Sequence, residues 1–290
     1  MTSTNGVPLQ RIIGPVTRTD FVRYAGAGGD FNPLHHDDEY AKSLGLPSVF
    51  AMGMWTAGLL ASFVADQLGL AAIKGFDVRF RSPVFPGEEL MLTIESAEGG
   101  VRPVSVTADG KPRITGTVRT EDAGDAKQDG DAPTSERLRQ IAATTFSDVE
   151  FPVERGKILE FARATRSTSP LHADVAAARA AGYADLPAPL TFGNAIAHWS
   201  GGDASEVPVR VGLDLSRVVH GEQRYRFVRP MVAGDVLTAR RRVGDVSVKA
   251  ARDGGQMTLV GMVTEFFDQT GALVVAEEMI MIEQPAKTPV

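Results

Sequence analysis

The sequence predicts an α+β fold made of two repeats, each with a long central helix wrapped by an antiparallel sheet. The tripeptide Pro33-Leu34-His35 recurs 137 positions later as Pro170-Leu171-His172. A second pair of similar strings follows in the same order, RFRSPVFPGEEL at residues 79–90 and RFVRPMVAGDVL at residues 226–237. In each half, one helix pattern precedes a series of strand patterns. This order favours a sheet packed around a helix, repeated by duplication.

The first repeat contains two short predicted helices and one long one. The short helices are expected at residues 20–25 and 38–44, on either side of a loop rich in Gly, Asn and Pro. The long helix is expected at residues 53–68, where apolar residues occur on all sides, as in a helix enclosed by other elements. Alternating apolar residues bounded by turn residues predict strands after it. These strands are expected at residues 75–81, 89–96, 101–107 and 114–120.

The second repeat is expected to follow the same plan, with its central helix at residues 193–200. Between the repeats, the polar residues 121–134 have no apolar period and are typical of a flexible linker. The strands of the second repeat are expected at residues 223–228, 236–243, 246–251, 257–268 and 272–282.

The composition excludes several classes of function. The 290 residues carry 30 basic and 36 acidic side chains, a net charge of −6 that argues against nucleic acid as a partner. The absence of cysteine excludes disulfides, thiol nucleophiles and Cys-ligated metal sites. Neither a phosphate-binding loop, a dinucleotide-binding fingerprint nor a zinc-ligand spacing is present, so no metal and no cofactor is predicted.

The sequence also predicts a cytoplasmic protein. Its first residues lack the basic region and apolar core of a signal peptide. Residues 48–65 are uncharged, but their Gly, Ser and Ala content favours a buried core helix over a membrane span. We therefore expect no membrane span.

The string Gly29-Asp30-Phe31-Asn32-Pro33-Leu34-His35 is the sharpest chemical signal in the chain. A carboxylate and an imidazole five residues apart can converge when the chain between them turns, and Asn-Pro favours such a turn. Histidine exchanges protons near neutral pH, and a positioned carboxylate assists as a second acid or base. Taken alone, one Asp and one His in a loop are more often structural, so the whole string carries the hypothesis of catalysis.

Gly53 is the second candidate, because it opens the predicted long helix. Backbone N–H groups at a helix start have no intrahelical acceptor and lie at the positive end of the helix dipole. Such a donor suits a carbonyl oxygen that gains negative charge during a reaction. The alternative is a glycine needed only for close packing.

These residues resemble the MaoC-like, R-specific hydratase/dehydratase family, whose signature Gly-Asp-x-Asn-Pro-aliphatic-His matches residues 29–35 completely. The resemblance covers nearly the whole chain and implies a double hot-dog fold. It is strongest to mycobacterial (3R)-hydroxyacyl-ACP dehydratases of the HadAB type, here as one fused chain. It implies that Asp30 and His35 form the catalytic dyad, that Asn32 orients them and that the Gly53 N–H binds the thioester oxygen. The residues expected to contact the substrate are Pro33, Met52, Met54 and Trp55.

The sequence departs from the family in two places. Met52 stands where the family often has histidine, so any contribution of that imidazole is absent. In the second repeat, Arg166, Ser167 and Ser169 replace Gly29, Asp30 and Asn32, and Leu190 replaces Gly53. His172 remains and is expected to be structural.

The resemblance therefore implies three parts. Residues 1–120 form a catalytic, HadB-like unit, residues 121–146 a linker, and residues 147–290 a non-catalytic, HadA- or HadD-like unit that accommodates the acyl chain. Small residues on the second central helix (Gly193, Ala195 and Ala197) are a hypothetical channel for that chain.

The implied activity is dehydration of (3R)-hydroxyacyl-ACP in type II fatty acid or mycolic acid elongation, reversible as R-specific hydration of trans-2-enoyl thioesters. Two alternatives stay open: an R-specific enoyl-CoA hydratase of fatty-acid breakdown, and a non-catalytic acyl-binding subunit. The expected partner is an acyl carrier protein or CoA thioester, and the chain is expected to be a monomer or a homodimer. Strand arginines such as Arg79, Arg224 and Arg240 could dock an anionic carrier or could simply keep a strand face solvated.

Overall fold

The computed structural model describes residues 7–121, 135–200, 206–251 and 254–286. Ten strands form one antiparallel sheet in the order β1-β3-β4-β5-β2-β7-β10-β9-β8-β6. The strands are β1 Leu9–Ile13, β2 Gly75–Phe80, β3 Leu90–Ile94, β4 Val101–Ala108, β5 Lys111–Arg119, β6 Val149–Pro152, β7 Val218–Phe227, β8 Val236–Ala250, β9 Gln256–Phe267 and β10 Leu273–Glu283.

The sheet has an internal two-fold pattern. Each strand of the first repeat has a counterpart at the mirrored position of the second, so β1 corresponds to β6, β3 to β8, β4 to β9 and β5 to β10. The two halves meet where β2 pairs with β7, with Gly75 opposite Arg226 and Arg79 opposite Glu222. The duplication seen in the sequence is therefore a duplication of structure, closed into one sheet, and the α+β double hot-dog prediction is confirmed.

Seven α-helices are present among the described residues. They are α1 Arg18–Gly28, α2 Asp38–Ser43, α3 Gly53–Leu68, α4 Glu136–Ala142, α5 Arg155–Ala164, α6 Val175–Ala180 and α7 Glu206–Arg210. Helix α3 has the predicted bounds, and twelve of its sixteen residues are buried, as expected for an enclosed helix. In the described ranges, no helix is long and apolar enough to cross a membrane.

The central helix of the second repeat differs from the prediction. In place of an α-helix at residues 193–200, the chain forms a 3₁₀ helix of seven residues, Phe192–His198. Gly193 and Asn194 are poor helix formers at its start, and Glu277 of strand β10 packs closely on Gly193. A Cβ atom on Gly193 would lie 1.8 Å from Glu277 Oε1. The second repeat therefore keeps the sheet but shortens the helix.

Three smaller differences concern strands and the linker. The predicted strands at residues 236–243 and 246–251 are one strand, β8, with a register shift between Val243 and Val246. Edge strands β1 and β6 were not predicted, because each is only four or five residues long. The segment predicted as a linker, residues 121–146, includes helix α4. Its Leu138 and Ile141 are buried in a hydrophobic cluster with side chains of the second repeat. Residues 122–134 lie outside the described ranges.

One hydrophobic core joins the repeats. A single cluster of buried side chains includes residues of both halves. The Trp55 indole N–H of α3 donates to the carbonyl of Ala164 in α5 at 3.1 Å. The rings of Tyr24 and Phe161 pack with centroids 5.6 Å apart. Helices α1, α3 and α5 thus pack together between the two repeats, and this packing sets the position of the loop after α1.

Candidate active site

The loop at residues 29–35 is shaped by its own sequence. Helix α1 is capped by Gly29, whose φ of +75° turns the chain in a conformation that favours glycine. The Asn32 backbone N–H donates to Asp30 Oδ1 at 3.2 Å. The Asn32 side-chain oxygen accepts from the Leu34 N–H at 3.1 Å and caps the 3₁₀ turn Pro33–His35. Asn32 therefore connects the carboxylate to the turn that carries the imidazole.

Asp30 and His35 face each other across this loop. Asp30 Oδ2 lies 3.7 Å from His35 Nε2. The other ring nitrogen, Nδ1, donates to the Phe50 carbonyl at 2.8 Å; a carbonyl only accepts, so Nδ1 carries the proton and Nε2 is the free acceptor of the neutral ring. The Asp30 side chain is 23% exposed and that of His35 9%. The pair is thus oriented, and its carboxylate reaches solvent.

The hydrogen bond from His35 to Phe50 ties the dyad to the segment that leads into helix α3. Gly53 is the first residue of α3, three positions after Phe50, and its N–H has no acceptor within the helix. A Cβ atom on Gly53 would lie 3.0 Å from the Phe80 ring. The Phe80 ring in turn packs on His220 of the second repeat, with centroids 4.6 Å apart. The glycine at position 53 therefore allows the Phe80 ring to pack closely against the start of helix α3.

The four predicted substrate contacts occupy different environments. Pro33 is exposed at the first position of the 3₁₀ turn. Met52 and Met54 are buried on either side of Gly53. Trp55 is fully buried, and its N–H is used between the repeats, so the structure does not bring it to the loop surface. Among the described residues, no group of three or more His, Asp or Glu is arranged to hold a metal ion.

The second repeat contributes contacts to this site that sequence reasoning missed. The Asn194 side-chain N–H donates to the hydroxyl of buried Tyr24 at 3.1 Å. Burial and the nearby charge of Asp30 raise the pKa of Tyr24 well above its usual range. A Cβ atom on Gly29 would lie 2.9 Å from Ala197 and 3.4 Å from His198 Nε2. No spacing pattern in the sequence links residues 194–198 to the Gly29 loop.

Glu277 lies behind these contacts. Its Oε1 oxygen is buried, with no hydrogen-bond partner among the described residues, although part of the residue is accessible. Burial raises the pKa of Glu277 to about 8. Its carboxyl fills the space beside Gly193, and Ala197 contacts the Gly29 position. Protein therefore occupies the space beside two of the three residues of the proposed channel: Glu277 of the same repeat lies beside Gly193, and Gly29 of the first repeat lies beside Ala197.

The equivalent loop of the second repeat keeps the geometry of its histidine. His172 Nδ1 donates to the Pro187 carbonyl at 2.7 Å, as His35 does to Phe50. Burial lowers the pKa of His172. Arg166, at the position of Gly29, has a φ of +51° and binds the Asp20 carboxylate at 2.7 Å. The arginine that replaced the glycine therefore ties the two repeats together.

Most of the strand arginines have carboxylate partners. Arg79 binds Glu222 at 2.9 Å, and Arg224 binds Glu278 at 2.9 Å. Arg240 lies 3.2 Å from Asp148. Pairing of this kind leaves little excess positive charge on the strand faces, which favours the solvated-face alternative over a dedicated anion surface.

Comparison with known proteins agrees with the duplication. The model of the MaoC-like domain matches residues 2–118, and that of a FAS1-like dehydratase domain region matches residues 140–277. A UPF0336 protein of Streptomyces griseus is 39% identical over 137 residues, which is 47% of this chain and 87% of the relative. One from Clavibacter michiganensis is 45% identical over 123 residues, 42% of this chain and 78% of the relative.

The chain contains a MaoC-like dehydratase domain followed by a FAS1-like dehydratase region. Solved structures show the same fold across its whole length. A putative MaoC domain protein dehydratase from Chloroflexus aurantiacus has a TM-score of 0.65 at 14% identity, covering 98% of this chain and 96% of that one. A conserved hypothetical protein of Mycobacterium tuberculosis with a double hotdog fold has a TM-score of 0.65 at 12% identity, covering 97% of both. At these identities, the likeness of this MaoC-like chain to solved structures concerns the fold alone.

Proposed function

We propose that this MaoC-like protein is a (3R)-hydroxyacyl-thioester dehydratase, reversible as an R-specific trans-2-enoyl thioester hydratase. The observation that carries the proposal is the pair Asp30 Oδ2 and His35 Nε2, 3.7 Å apart with one nitrogen of the imidazole held by a backbone carbonyl. That separation exceeds a hydrogen bond, so both atoms are free to bind a third group. A water or hydroxyl oxygen at about 2.8 Å from each of them fits the pair.

In the hydration direction, a single base, His35, carries one proton from the water to C2. His35 Nε2 takes a proton from the water while its oxygen bonds to C3, and ionised Asp30 orients that water and stabilises the imidazolium. The imidazolium then returns the proton to C2. Dehydration runs the same steps backwards, so His35 removes the C2 proton and delivers it to the leaving 3-hydroxyl.

The proposed partner for the thioester oxygen is the free N–H of Gly53 at the start of α3. Negative charge develops on this oxygen as C2 becomes enolate-like, and a preorganised donor stabilises it. A backbone donor serves whether residue 52 is Met or His. Removal of one such donor typically costs about 10²–10³-fold in rate.

We assign the acyl carrier protein as the carrier of the substrate, and type II fatty acid or mycolic acid elongation as the pathway. The competing assignment is an acyl-CoA substrate in fatty-acid breakdown. The assignment rests on the likeness of residues 29–35 and of the fused second unit to the dehydratase type described above. The paired strand arginines favour neither carrier, so the assay includes both.

The test is hydration of trans-2-enoyl thioesters, followed as loss of absorbance at the conjugated double bond. Wild type is compared with Asp30→Asn and His35→Ala on short, medium and long chains, carried by CoA and by ACP. We expect turnover in wild type, reduced by about 10²–10⁴-fold in each variant because the acid–base pair is lost. Asp109→Asn, an exposed turn residue, is the matched control and should keep full activity.

Near-full turnover of Asp30→Asn would show that the dyad is wrongly assigned. No turnover of any chain on either carrier by wild type would overturn the enzyme proposal and favour an acyl-binding subunit. A clear preference for CoA would move the protein to the competing assignment.

A further inference from the structure

A polar row of three residues crosses the second half-sheet on the face that packs toward the 3₁₀ helix Phe192–His198. Arg241 of β8 is paired with Thr264 of β9, and Thr264 is paired with Glu277 of β10. Directly paired residues of neighbouring strands point to the same face, and Glu277 contacts the Gly193 position of the 3₁₀ helix. All three residues therefore lie on the inner face, and all three are half-buried.

The first repeat has an apolar row of the same kind. Leu92 of β3, Val106 of β4 and Ile114 of β5 are paired in the same way, and each is no more than 1% exposed. Helix α3, which packs on these strands, has sixteen residues, whereas the 3₁₀ helix has seven. The shorter helix leaves the polar row of the second repeat partly accessible. We call this accessible part of the inner face, at Arg241, Thr264 and Glu277, the inner recess.

Arg241 is the unpaired charge of the inner recess. Among the residues that the structure describes, none forms a hydrogen bond or an ion pair with its guanidinium group. Because the guanidinium nitrogens have no partner and yet are not fully buried, they keep accessible surface. Burial lowers the pKa of Arg241, because water solvates the cation poorly there. A guanidinium that has lost water and gained no partner is costly, so it favours an anionic ligand.

The neighbouring groups leave the recess positive. Glu277 is the acid of the row, but its carboxyl lies against Gly193 and forms no ion pair with Arg241 in the described ranges. With a pKa of about 8, Glu277 carries a proton at neutral pH. Arg210 of α7 is near enough to lower the pKa of Arg241 further. Two cations and a neutral carboxyl therefore lie around the recess, although the chain as a whole has a net charge of −6.

The other groups of the recess select the kind of anion. The Thr264 hydroxyl has no hydrogen-bond partner in the described part of the chain and is not fully buried, so it can donate to a ligand. Two positions along the same face, Val243 and Met279 are half-buried and supply apolar surface. Guanidinium and hydroxyl donors fit the two oxygens of a carboxylate, whereas a doubly charged phosphate would need more donors. The apolar neighbours fit methylene groups behind the carboxylate.

We propose that the inner recess is a binding site for a carboxylate at the end of an aliphatic chain, held by Arg241 and Thr264. The site is independent of the proposed enzyme activity, because it is derived from residues of the second repeat alone. Two kinds of molecule can present such a group: a free aliphatic acid, and an acyl thioester whose far end carries a carboxylate. The chemistry at the recess is the same for both.

The test is calorimetry of the full-length protein at pH 7 with sodium hexanoate, and with hexanamide as the uncharged counterpart. Arg241→Gln removes the charge and keeps a polar side chain, and Thr264→Val removes only the hydroxyl. The matched control is Arg242→Gln, the next residue of β8, which is exposed on the opposite face. Circular dichroism checks the folding of every variant.

We expect Arg241→Gln to weaken hexanoate binding by about 10-fold or more, because a charged donor is lost. Thr264→Val should weaken it by about 3-fold, as for a neutral hydrogen bond, and Arg242→Gln should leave it unchanged. Hexanamide should bind wild type and Arg241→Gln equally weakly. No hexanoate binding by wild type, equal binding by Arg241→Gln, or equal binding of hexanoate and hexanamide would overturn the proposal.

Turnover identifies the source of the carboxylate. The substrates are trans-2-octenoyl-CoA and its counterpart with a carboxylate at the far end of the chain. If the acyl group itself is the ligand, wild type should prefer the carboxylate-ended substrate and Arg241→Gln should lose that preference. If a free acid is the ligand, both proteins should use the two substrates alike. The calorimetry needs no turnover, so failure of the proposed enzyme activity leaves the binding result readable.

Discussion

His35 and Asn32 each perform two tasks. One His35 nitrogen is committed to the Phe50 carbonyl and the other faces Asp30, so the tautomer and the ring orientation are set before any ligand arrives. Asn32 uses its backbone N–H for Asp30 and its side chain for the turn that carries His35. A seven-residue string therefore contains both the reacting groups and their supports.

The buried carboxyl group of Glu277 leads to a prediction about how the stability of the protein depends on pH. Burial raises the pKa of Glu277 from 4.5 to about 8, against the opposing charge of Arg241. Its stabilising contribution is complete below pH 4.5 and is lost as the pH rises through 8. The unfolded chain releases this proton first, so the free energy of unfolding should fall by up to about 1.4 kcal/mol per pH unit in that window.

Denaturant unfolding of wild type and Glu277→Gln between pH 6.5 and 8.5 checks this prediction. The fall with pH should be present in wild type and largely absent in Glu277→Gln, whose side chain does not ionise. The range begins at 6.5 because His220, whose pKa burial lowers to about 4, contributes in the opposite sense below its usual value. Parallel pH profiles for the two proteins would contradict the assignment of the buried proton to Glu277.

Among the elements, the junction between α1 and the 3₁₀ helix Phe192–His198 matters most for the site. The loop that carries Asp30 begins at Gly29, and Ala197 of the other repeat packs against that residue. The 3₁₀ helix of the second repeat thus packs against the start of the loop that carries Asp30.

Gly29→Ala should both destabilise the protein and reduce turnover. The left-handed backbone alone costs about 1–2 kcal/mol for a residue with a Cβ atom, and the new methyl would lie 2.9 Å from Ala197. Gly45→Ala is the matched control, because its φ is +83° and nothing lies within 4 Å of the added atom. Thermal and denaturant unfolding measure both costs, and hydration assays measure the effect on the loop.

Gly29→Ala should lower the free energy of unfolding more than Gly45→Ala does. Adding Ala197→Gly should restore the part of this loss that comes from the contact with Ala197, but not the part that comes from the left-handed backbone. Equal losses for the two alanine variants would show that the contact between Gly29 and Ala197 does not constrain the loop.

At the scale of the whole molecule, the two repeats are joined by strand pairing and by buried contacts. Strands β2 and β7 join the half-sheets, and Trp55, Tyr24 and Asp20 each contact the other repeat. Neither repeat could expose these surfaces without losing buried contacts. The polar residues between the repeats therefore link two halves of one core rather than two independent domains.

We therefore predict a single unfolding transition. The chain has two tryptophans, Trp55 in the first repeat and Trp199 in the second. Trp199→Phe leaves a fluorescence probe of the first repeat, and Trp55→Phe leaves one of the second. In each variant the fluorescence and far-ultraviolet circular dichroism midpoints should coincide, because two-state unfolding moves all probes together. Separate midpoints within either variant would show that the repeats unfold independently.

Much of the site and most of the sheet could be predicted from local patterns. Helix α3, the turn after Gly29 and the pairing of Asp30 with His35 depend on residues close in the chain, so their sequence carries the information. Strand patterns located β2 to β5 to within a few residues, because one buried face imposes alternation. The short edge strands and the joined strand β8 were missed, since four residues or a bulge leave too little pattern.

The contacts of Asn194 with Tyr24 and of Ala197 with Gly29 could not be predicted, because they bring together residues more than 150 positions apart. The close approach of Glu277 to Gly193 joins a strand and a helix of the same repeat that are also distant in the chain. The sequence pattern also predicted an α-helix at residues 193–200, where the chain forms the 3₁₀ helix Phe192–His198. The substrate roles of Pro33, Met52 and Met54 stay predictions, whereas Trp55 lies in the packing between repeats.

The sequence by itself determined the duplication, the family string at residues 29–35 and the enclosed helix behind it, because each is written in spacing along the chain. Only the tertiary structure decided how the halves pack: the 3₁₀ helix of one repeat lies against Gly29 of the other, and Asp66 of the first repeat lines the same cleft as His172 of the second. These pairings arise when two half-sheets close about β2 and β7, an event that no local pattern encodes.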